Sequence, residues 1–216
     1  DATIGKDTNQ LWLFAGTGDY ENLTDTSPLV SNVLLGIADE AFPEFKTPDD
    51  VKAFNSGKST VPPTIDNISN CLDTTKHKTS EKCPKKMGAG VEPKKGWVIH
   101  LNNHRKVTAS PTVAGGMVYF PVFTPPTGGD KCKNGKAEIC AIDDECGTNY
   151  STRLGTHSKS GDCHYVGEGI LSKIVTYGGK LFANIAGKSD TGTDLISKDA
   201  IGMEVDITRG TWKESF

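Results

Sequence analysis

Apolar residues in this chain gather in short filled or alternating runs, and no stretch carries the three-to-four spacing of an amphipathic helix over a useful length. Leu11–Gly16 (LWLFAG) runs into Gly16-Thr17-Gly18, and Ser31–Ala38 (SNVLLGIA) is a second filled run, so the two are expected to be neighbouring buried strands. From Asp39 to Lys95 the pattern fades into Pro, Lys, Asp, Ser and Thr, with Thr47–Phe54 as a short capped helix. This segment, 39–95, is expected to be a loop-rich insertion within the first structural unit. Strand pattern returns at Gly96–Leu101, closed by the turn residues Asn102-Asn103, and continues to Val122. Asp130–Gly135 reads as a loop and Ala137–Asp143 as a half-buried strand. The pattern then runs to Ala186, through a polar Gly/Asp/Thr/Ser loop, to closing strands at Ala200–Ile207 and Gly210–Phe216.

One piece of this pattern occurs twice. Thr108–Phe120 (TASPTVAGGMVYF) and Gly169–Ala183 (GILSKIVTYGGKLFA) each read as a strand, a Gly-Gly tight turn and a second apolar or aromatic strand. Ser110 and Ser172 lie 62 residues apart and Gly116 and Gly179 lie 63 apart, so the copies keep step with one inserted residue. Tandem hairpins at that period predict stacked blades of up to four antiparallel strands, about two and a half of them in residues 1–216. The expected fold is all-β: part of a β-propeller with long loop insertions. A ring needs at least about four blades, so further blades are expected from upstream sequence or from a partner chain. Leu11–Gly16 would otherwise be an inner strand with a bare edge.

Composition narrows the class. The 216 residues are 35% hydrophobic, with no apolar run near the roughly 20 residues of a membrane helix. Any export signal would precede Asp1, because Asp1–Lys6 has neither the basic nor the apolar region of one. The 24 basic and 27 acidic residues give a net charge of -3 and form no basic stripe, which argues against nucleic acid as a partner. Six cysteines, Cys71, Cys83, Cys132, Cys140, Cys146 and Cys163, lie in polar stretches without a C-x-x-C pair. They are disulfide candidates, implying an oxidising, extracytoplasmic location. A Cys71–Cys83 bridge would close part of the lysine-rich insertion; the other pairings stay open.

Several residues invite chemistry. His100 and His104 have a helical metal-ligand spacing, but a strand followed by an Asn-Asn turn would send them apart. Gly187-Lys188-Ser189 resembles the end of a phosphate-binding loop, yet Phe182 stands where that loop needs glycine, so a solvated turn is expected. Cys163-His164 would point to opposite faces of an extended chain, which argues against a nucleophile and its base. Trp12, Trp97 and Trp212 lie inside apolar strand patterns and are expected in cores. Asn22, Asn67 and Asn149 fit the short glycosylation pattern, which is too common to carry weight.

The ordered series Phe14–Tyr20 (FAGTGDY), Gly96–Leu101, Lys106–Val113 (KVTASPTV), Val118-Tyr119-Phe120 with Phe123-Thr124-Pro125, Ala141-Ile142-Asp143, Gly167–Ser172 (GEGILS) and Arg209–Glu214 (RGTWKE) resembles the C-terminal propeller of the PilY/PilC-type type IV pilus tip adhesin and assembly family. The resemblance covers Leu11 to Phe216. It implies a quinoprotein-like propeller of which this chain holds the C-terminal blades. It further implies a secreted, non-enzymatic protein at the pilus tip, working with minor pilins in pilus assembly, retraction control and surface attachment. The family's Leu-Tyr-Ala-Leu-Asp strand is here Glu138–Asp143 (EICAID), followed by Asp144-Glu145-Cys146-Gly147, which adds cysteines. Family members carry calcium in an EF-hand-like loop with acidic or amide side chains at alternate positions. Asp7-Thr8-Asn9 begins such a loop and stops, and Asp143-Asp144-Glu145 lacks its spacing and its glycine, so no calcium or other cofactor is expected in this chain. The alternative function is a fragment of a quinoprotein-type propeller oxidoreductase. It would need a clustered ligand set and a clamp over the quinone, and neither is visible.

Overall fold

A computed structural model describes residues 1–18, 32–39, 66–67 (backbone only), 96–126, 134–155, 163–189, 192 and 194–203, and the statements below concern these. All of the regular structure among them is strand apart from one 3-10 turn, Ser151–Leu154. In chain order the strands are β1 (Ala2–Ile4), β2 (Leu11–Gly16), β3 (Val33–Asp39), β4 (Asp66–Asn67), β5 (Gly96–His100), β6 (Lys106–Val107), β7 (Thr112–Ala114), β8 (Met117–Thr124), β9 (Lys136–Asp143), β10 (His164–Leu171), β11 (Val175–Tyr177), β12 (Lys180–Ser189) and β13 (Leu195–Asp199).

They build a five-stranded sheet and an eight-stranded one, which divide in sequence order into three blades. The first blade is β1-β2-β3-β5, antiparallel throughout, with β4 added in parallel at the outer edge. The central blade is β7-β8-β9-β10, and the last is β11-β12-β13. The blades are linked at their crossovers: β6 pairs with the far end of β8, and the far end of β10 pairs with β12. Each link repeats one backbone hydrogen bond, Thr108 N–H to Pro121 O at 3.0 Å and Ser172 N–H to Asn184 O at 2.9 Å.

Two apolar cores lie between the blades, which explains why the central strands read as filled runs rather than as alternations. Along β8, Val118, Phe120 and Val122 face the first blade, whereas Met117 and Tyr119 face the last. Along β9, Cys140 and Ile142 join the first core and Ala137, Ile139 and Ala141 the second. Every residue of β8 is buried. The first core is crossed by Trp12, Phe14, Trp97 and Phe120, neighbouring ring centres lying 6.1 to 6.4 Å apart. Trp12 and Trp97 are therefore core residues, as their strand context predicts. Gly36 makes room for the indole of Trp97, since a Cβ there would sit 2.3 Å from Cε2.

The repeat is visible as the hairpins β7–β8 and β11–β12. Gly115 and Gly116 have φ of 62° and 76°, Gly178 and Gly179 of 55° and 73°. Two consecutive positive φ values make the type I′ turn that twists with its strands. The second glycine's carbonyl accepts from the residue just past the third strand in both copies, Asp144 N–H at 3.2 Å and Ala200 N–H at 2.9 Å.

Four expectations change. The first blade has a complete set of four strands because β1 pairs with β2 through Ala2↔Leu13 and Ile4↔Leu11, so β2 has no bare inner edge. Leu195–Asp199 is a strand rather than a loop, held by five register pairs to β12. Gly187-Lys188-Ser189 closes β12 opposite Gly167–Gly169 and is not a turn. Ala200–Met203 is a turn, whereas residues 204–216, with Trp212, lie outside the described residues. So do the short helix at Thr47–Phe54, Asn22, and the insertion 39–95 apart from Asp39 and the Asp66-Asn67 backbone.

Candidate functional site: the loop end of the arc

The strand register collects the inner turns and the ends of the third strands at one end. In each blade the third strand ends on an aspartate: Asp39 opposite Leu11, Asp143 opposite Met117 and Asp199 opposite Lys180. The turns Gly5–Gln10, Gly115-Gly116 and Gly178-Gly179 therefore stand beside the points where the chain leaves the third strands, at Asp39, Asp143 and Asp199. These aspartates were open to sequence reasoning, but the insertion after the first disguises their common place.

The 144–155 segment is tied down densely. Asp143 Oδ1 accepts the amides of Glu145 (3.2 Å) and Cys146 (2.8 Å), turning the chain sharply out of β9. Asn149 Oδ1 accepts Ser151 N–H and Ser151 Oγ, at 2.8 and 2.6 Å, and Ser151 Oγ in turn accepts Ala141 N–H at 2.9 Å. Asn149 is thus a buried structural residue in the folded chain, not a surface acceptor for a sugar. Leu154 enters the second core, and Arg153 lies 4.3 Å above the Tyr150 ring.

The loops after β9 and β13 are each held by the preceding blade. The Glu145 carboxylate accepts Asp7 N–H and Thr8 N–H from the β1–β2 turn, each at 2.7 Å, while Gly5 leaves it room. Trp97 Nε1 donates to Asp144 O at 2.9 Å, and Thr8 Oγ1 accepts Trp12 Nε1 at 3.0 Å. One blade further on, Tyr119 Oη accepts Ile201 N–H at 2.8 Å. The loops of the central and last blades are thus each pinned to the blade before.

Sequence reasoning weighed Asp7-Thr8-Asn9 and Asp143-Asp144-Glu145 separately against a calcium loop and set both aside. The structure brings them together, but the oxygens serve the backbone: Glu145 takes the turn amides and Asp143 caps its own loop. No three His, Cys, Asp or Glu among the described residues are grouped to hold a metal. This donor set does not fit a calcium ion, which needs six to eight converging oxygens. The local electrostatics follow from crowding. Burial, then the charges of Asp143 and Glu145, raise the Asp144 carboxyl to about 6. Burial and the same two carboxylates, with Asp7, push the Cys146 thiol up to about 12.

Of the six cysteines, Cys140 and Cys163 form a disulfide across β9 and the start of β10, with Cα atoms 4.5 Å apart. It closes the base of the 144–163 loop. Cys146 is a free thiol, and Cys71, Cys83 and Cys132 lie outside the described residues. Beside the bridge sits Arg105, fully buried, whose Nε donates to Asn102 O at 3.0 Å and whose guanidinium approaches Cys163 Sγ at 3.6 Å. Sequence patterning gave no sign of this cation inside the core. His164 is buried next to the disulfide, and His100 stays in β5 while His104 follows the turn with φ of 56°.

Three blades of mainly antiparallel strands, packed in sequence order around two apolar cores, define an all-β, propeller-like fold. No family model matches the chain, and no curated protein matches it. Among solved structures, the C-terminal domain of PilY1 from Pseudomonas aeruginosa is similar to it at 14% identity with a TM-score of 0.48. That alignment covers 88% of this chain and 43% of that one, so the chain spans less than half of that domain's length. No helix among the described residues is long and apolar enough to cross a membrane.

Proposed function

We propose that this chain is a non-enzymatic, extracellular interaction module of the type IV pilus tip, adhesin-like, with the loops at one end of a rigid β arc as its contact surface. The carrying observation is the loop end itself, where the loops that leave β9 and β13 are anchored to the neighbouring blade by hydrogen bonds and the first of them is closed by a disulfide. Rigid scaffolds that vary mainly in their loops are suited to recognition. The ordered strand motifs that resemble the PilY/PilC-type family supply the pilus context, with minor pilins as partners. The Cys140–Cys163 bridge is in keeping with export to an oxidising compartment.

Immunogold labelling of whole cells of the source organism with antibody raised against residues 1–216 tests the reading. Gold at filament ends is expected; gold confined to the cell interior, or spread over a surface without filaments, would overturn it. An absorbance spectrum of the purified protein adds a second arm, since a bound quinone chromophore would favour the oxidoreductase alternative.

A further inference from the structure

Arg105 is fully buried, and the backbone takes an unusual turn to bring it there. Asn103 and His104 have φ of 57° and 56°, the left-handed region that favours glycine and that a histidine enters at a cost. Arg105 N–H closes this turn on Asn102 O at 3.3 Å, and Asn32 Nδ2 donates to Arg105 O at 2.8 Å. In the side chain, Nε donates to Asn102 O at 3.0 Å, and a terminal guanidinium nitrogen donates to Cys163 Sγ at 3.6 Å. A positioned, desolvated cation is thus aimed at one sulfur of the Cys140–Cys163 bridge.

Thiol chemistry gives this contact a direction. A disulfide sulfur is neutral and accepts weakly, whereas a thiolate at the same place would carry a full charge opposite to that of the guanidinium. A cation within about 4–6 Å favours the ionised form, so Arg105 lowers the pKa of Cys163 once the bridge opens. The sulfur of lower pKa leaves faster and is the easier one to release. Cys146, the free thiol of the same loop, has the opposite character: burial, then Asp143 and Glu145, push it up to about 12. Too little of it is thiolate at neutral pH to attack the bridge and reshuffle it.

We infer that the Cys140–Cys163 bridge is a redox clasp on the 144–163 loop, opened by a dithiol reductant, with Cys163 leaving as a thiolate paired to the Arg105 guanidinium. A thiolate of the dithiol attacks Cys140 Sγ, the S–S bond breaks, and its electron pair stays on Cys163. The second thiol of the reductant then displaces Cys140 from the mixed disulfide. The reductant ends as its own disulfide, having given two electrons; one of its two protons goes to Cys140 and the other to solvent. Both sulfurs are buried, so attack follows a local opening of the loop, and the position of equilibrium reports on Arg105 better than the speed does. With the clasp open, the loop keeps its ties at Asn149, Ser151 and Leu154 and loses its closed base. The clasp needs a dithiol and no pilus, so it stands or falls apart from the pilus-tip reading.

The test equilibrates the purified protein with graded ratios of reduced and oxidised dithiothreitol at pH 8.5, traps free thiols by alkylation, and maps the peptides by mass spectrometry. Peptide mapping reads Cys140 and Cys163 apart from the other cysteines. Arg105→Gln should shift the equilibrium toward the closed bridge at least about fivefold, and Arg105→Lys, which keeps the charge, by less. In the reduced protein with Arg105 in place, alkylation of Cys163 by iodoacetamide should rise with pH about a midpoint below about 7.5, a full unit under an ordinary thiol. A midpoint at or above about 8.5 would overturn the inference, and that reading needs no variant to fold. An equilibrium unmoved by Arg105→Gln, in protein whose circular dichroism is unchanged, would overturn it as well.

Discussion

At the scale of single residues, the loop end is governed by carboxylates that serve the backbone. Glu145 holds two amides of a turn more than a hundred positions away in sequence. Glu145→Gln keeps the shape but turns an amide N–H toward a backbone N–H, and should cost about 2 kcal/mol, a fall in Tm of roughly 4 to 8 °C. Hydrogen exchange at Asp7 and Thr8 should speed up in that variant; unchanged protection there would show that the latch is not formed. Asp144 behaves in the opposite sense. Its folded pKa of about 6 lies above the ordinary 3.8, so between these values the folded protein keeps a proton that the unfolded chain has lost. Its favourable contribution is therefore present below about pH 4 and lost as pH rises through about 6. Asp144→Asn should raise Tm by a few degrees at pH 7.5, and the gain should vanish as pH falls to 4. A gain independent of pH would contradict the assignment.

At the scale of elements, the Gly-Gly hairpins offer a matched pair of tests. A methyl at Gly178 meets nothing within 4 Å, so Gly178→Ala costs only the strain of a left-handed alanine, about 1 kcal/mol. At Gly115 the same methyl would stand 2.6 Å from Ile201 O, so Gly115→Ala should lose clearly more stability in denaturant unfolding. Equal losses would mean that the turn of the central blade does not touch the last. These hairpins were legible because two adjacent glycines between apolar runs have a narrow structural meaning. The runs Leu11–Gly16, Gly96–Leu101 and Ala137–Asp143 were legible too, being buried on at least one face. What was missed is short or polar. β1 is three residues, ATI, and takes its identity from β2; β13, LISKD, buries only Ile196 fully and is a strand because β12 presents it an edge. The loop latch was illegible for a different reason. Glu145 and the Asp7-Thr8 amides meet only once two blades have stacked, and no local pattern records that meeting. The carboxylates were weighed only against a calcium loop, which they do not fit, and their partners are backbone N–H groups.

At the scale of the whole molecule, the account rests on an arc in which, among the described residues, the central blade is covered on both faces and the last on one. That asymmetry is present in the burial of β8 and β12: β8 is buried throughout, while Leu181, Ala183 and Ile185 alternate with exposed or half-exposed neighbours. Equivalent strands in the two repeats should therefore differ in stability although their hydrogen bonding is alike. Amide hydrogen exchange on residues 1–216, read strand by strand by mass spectrometry, tests this most directly. Amides of β7, β8 and β9 should be the slowest, and those of β11 and β13 should exchange at least about tenfold faster, as expected for elements with fewer buried contacts. Protection of β11 equal to that of its repeat partner β7 would contradict that asymmetry.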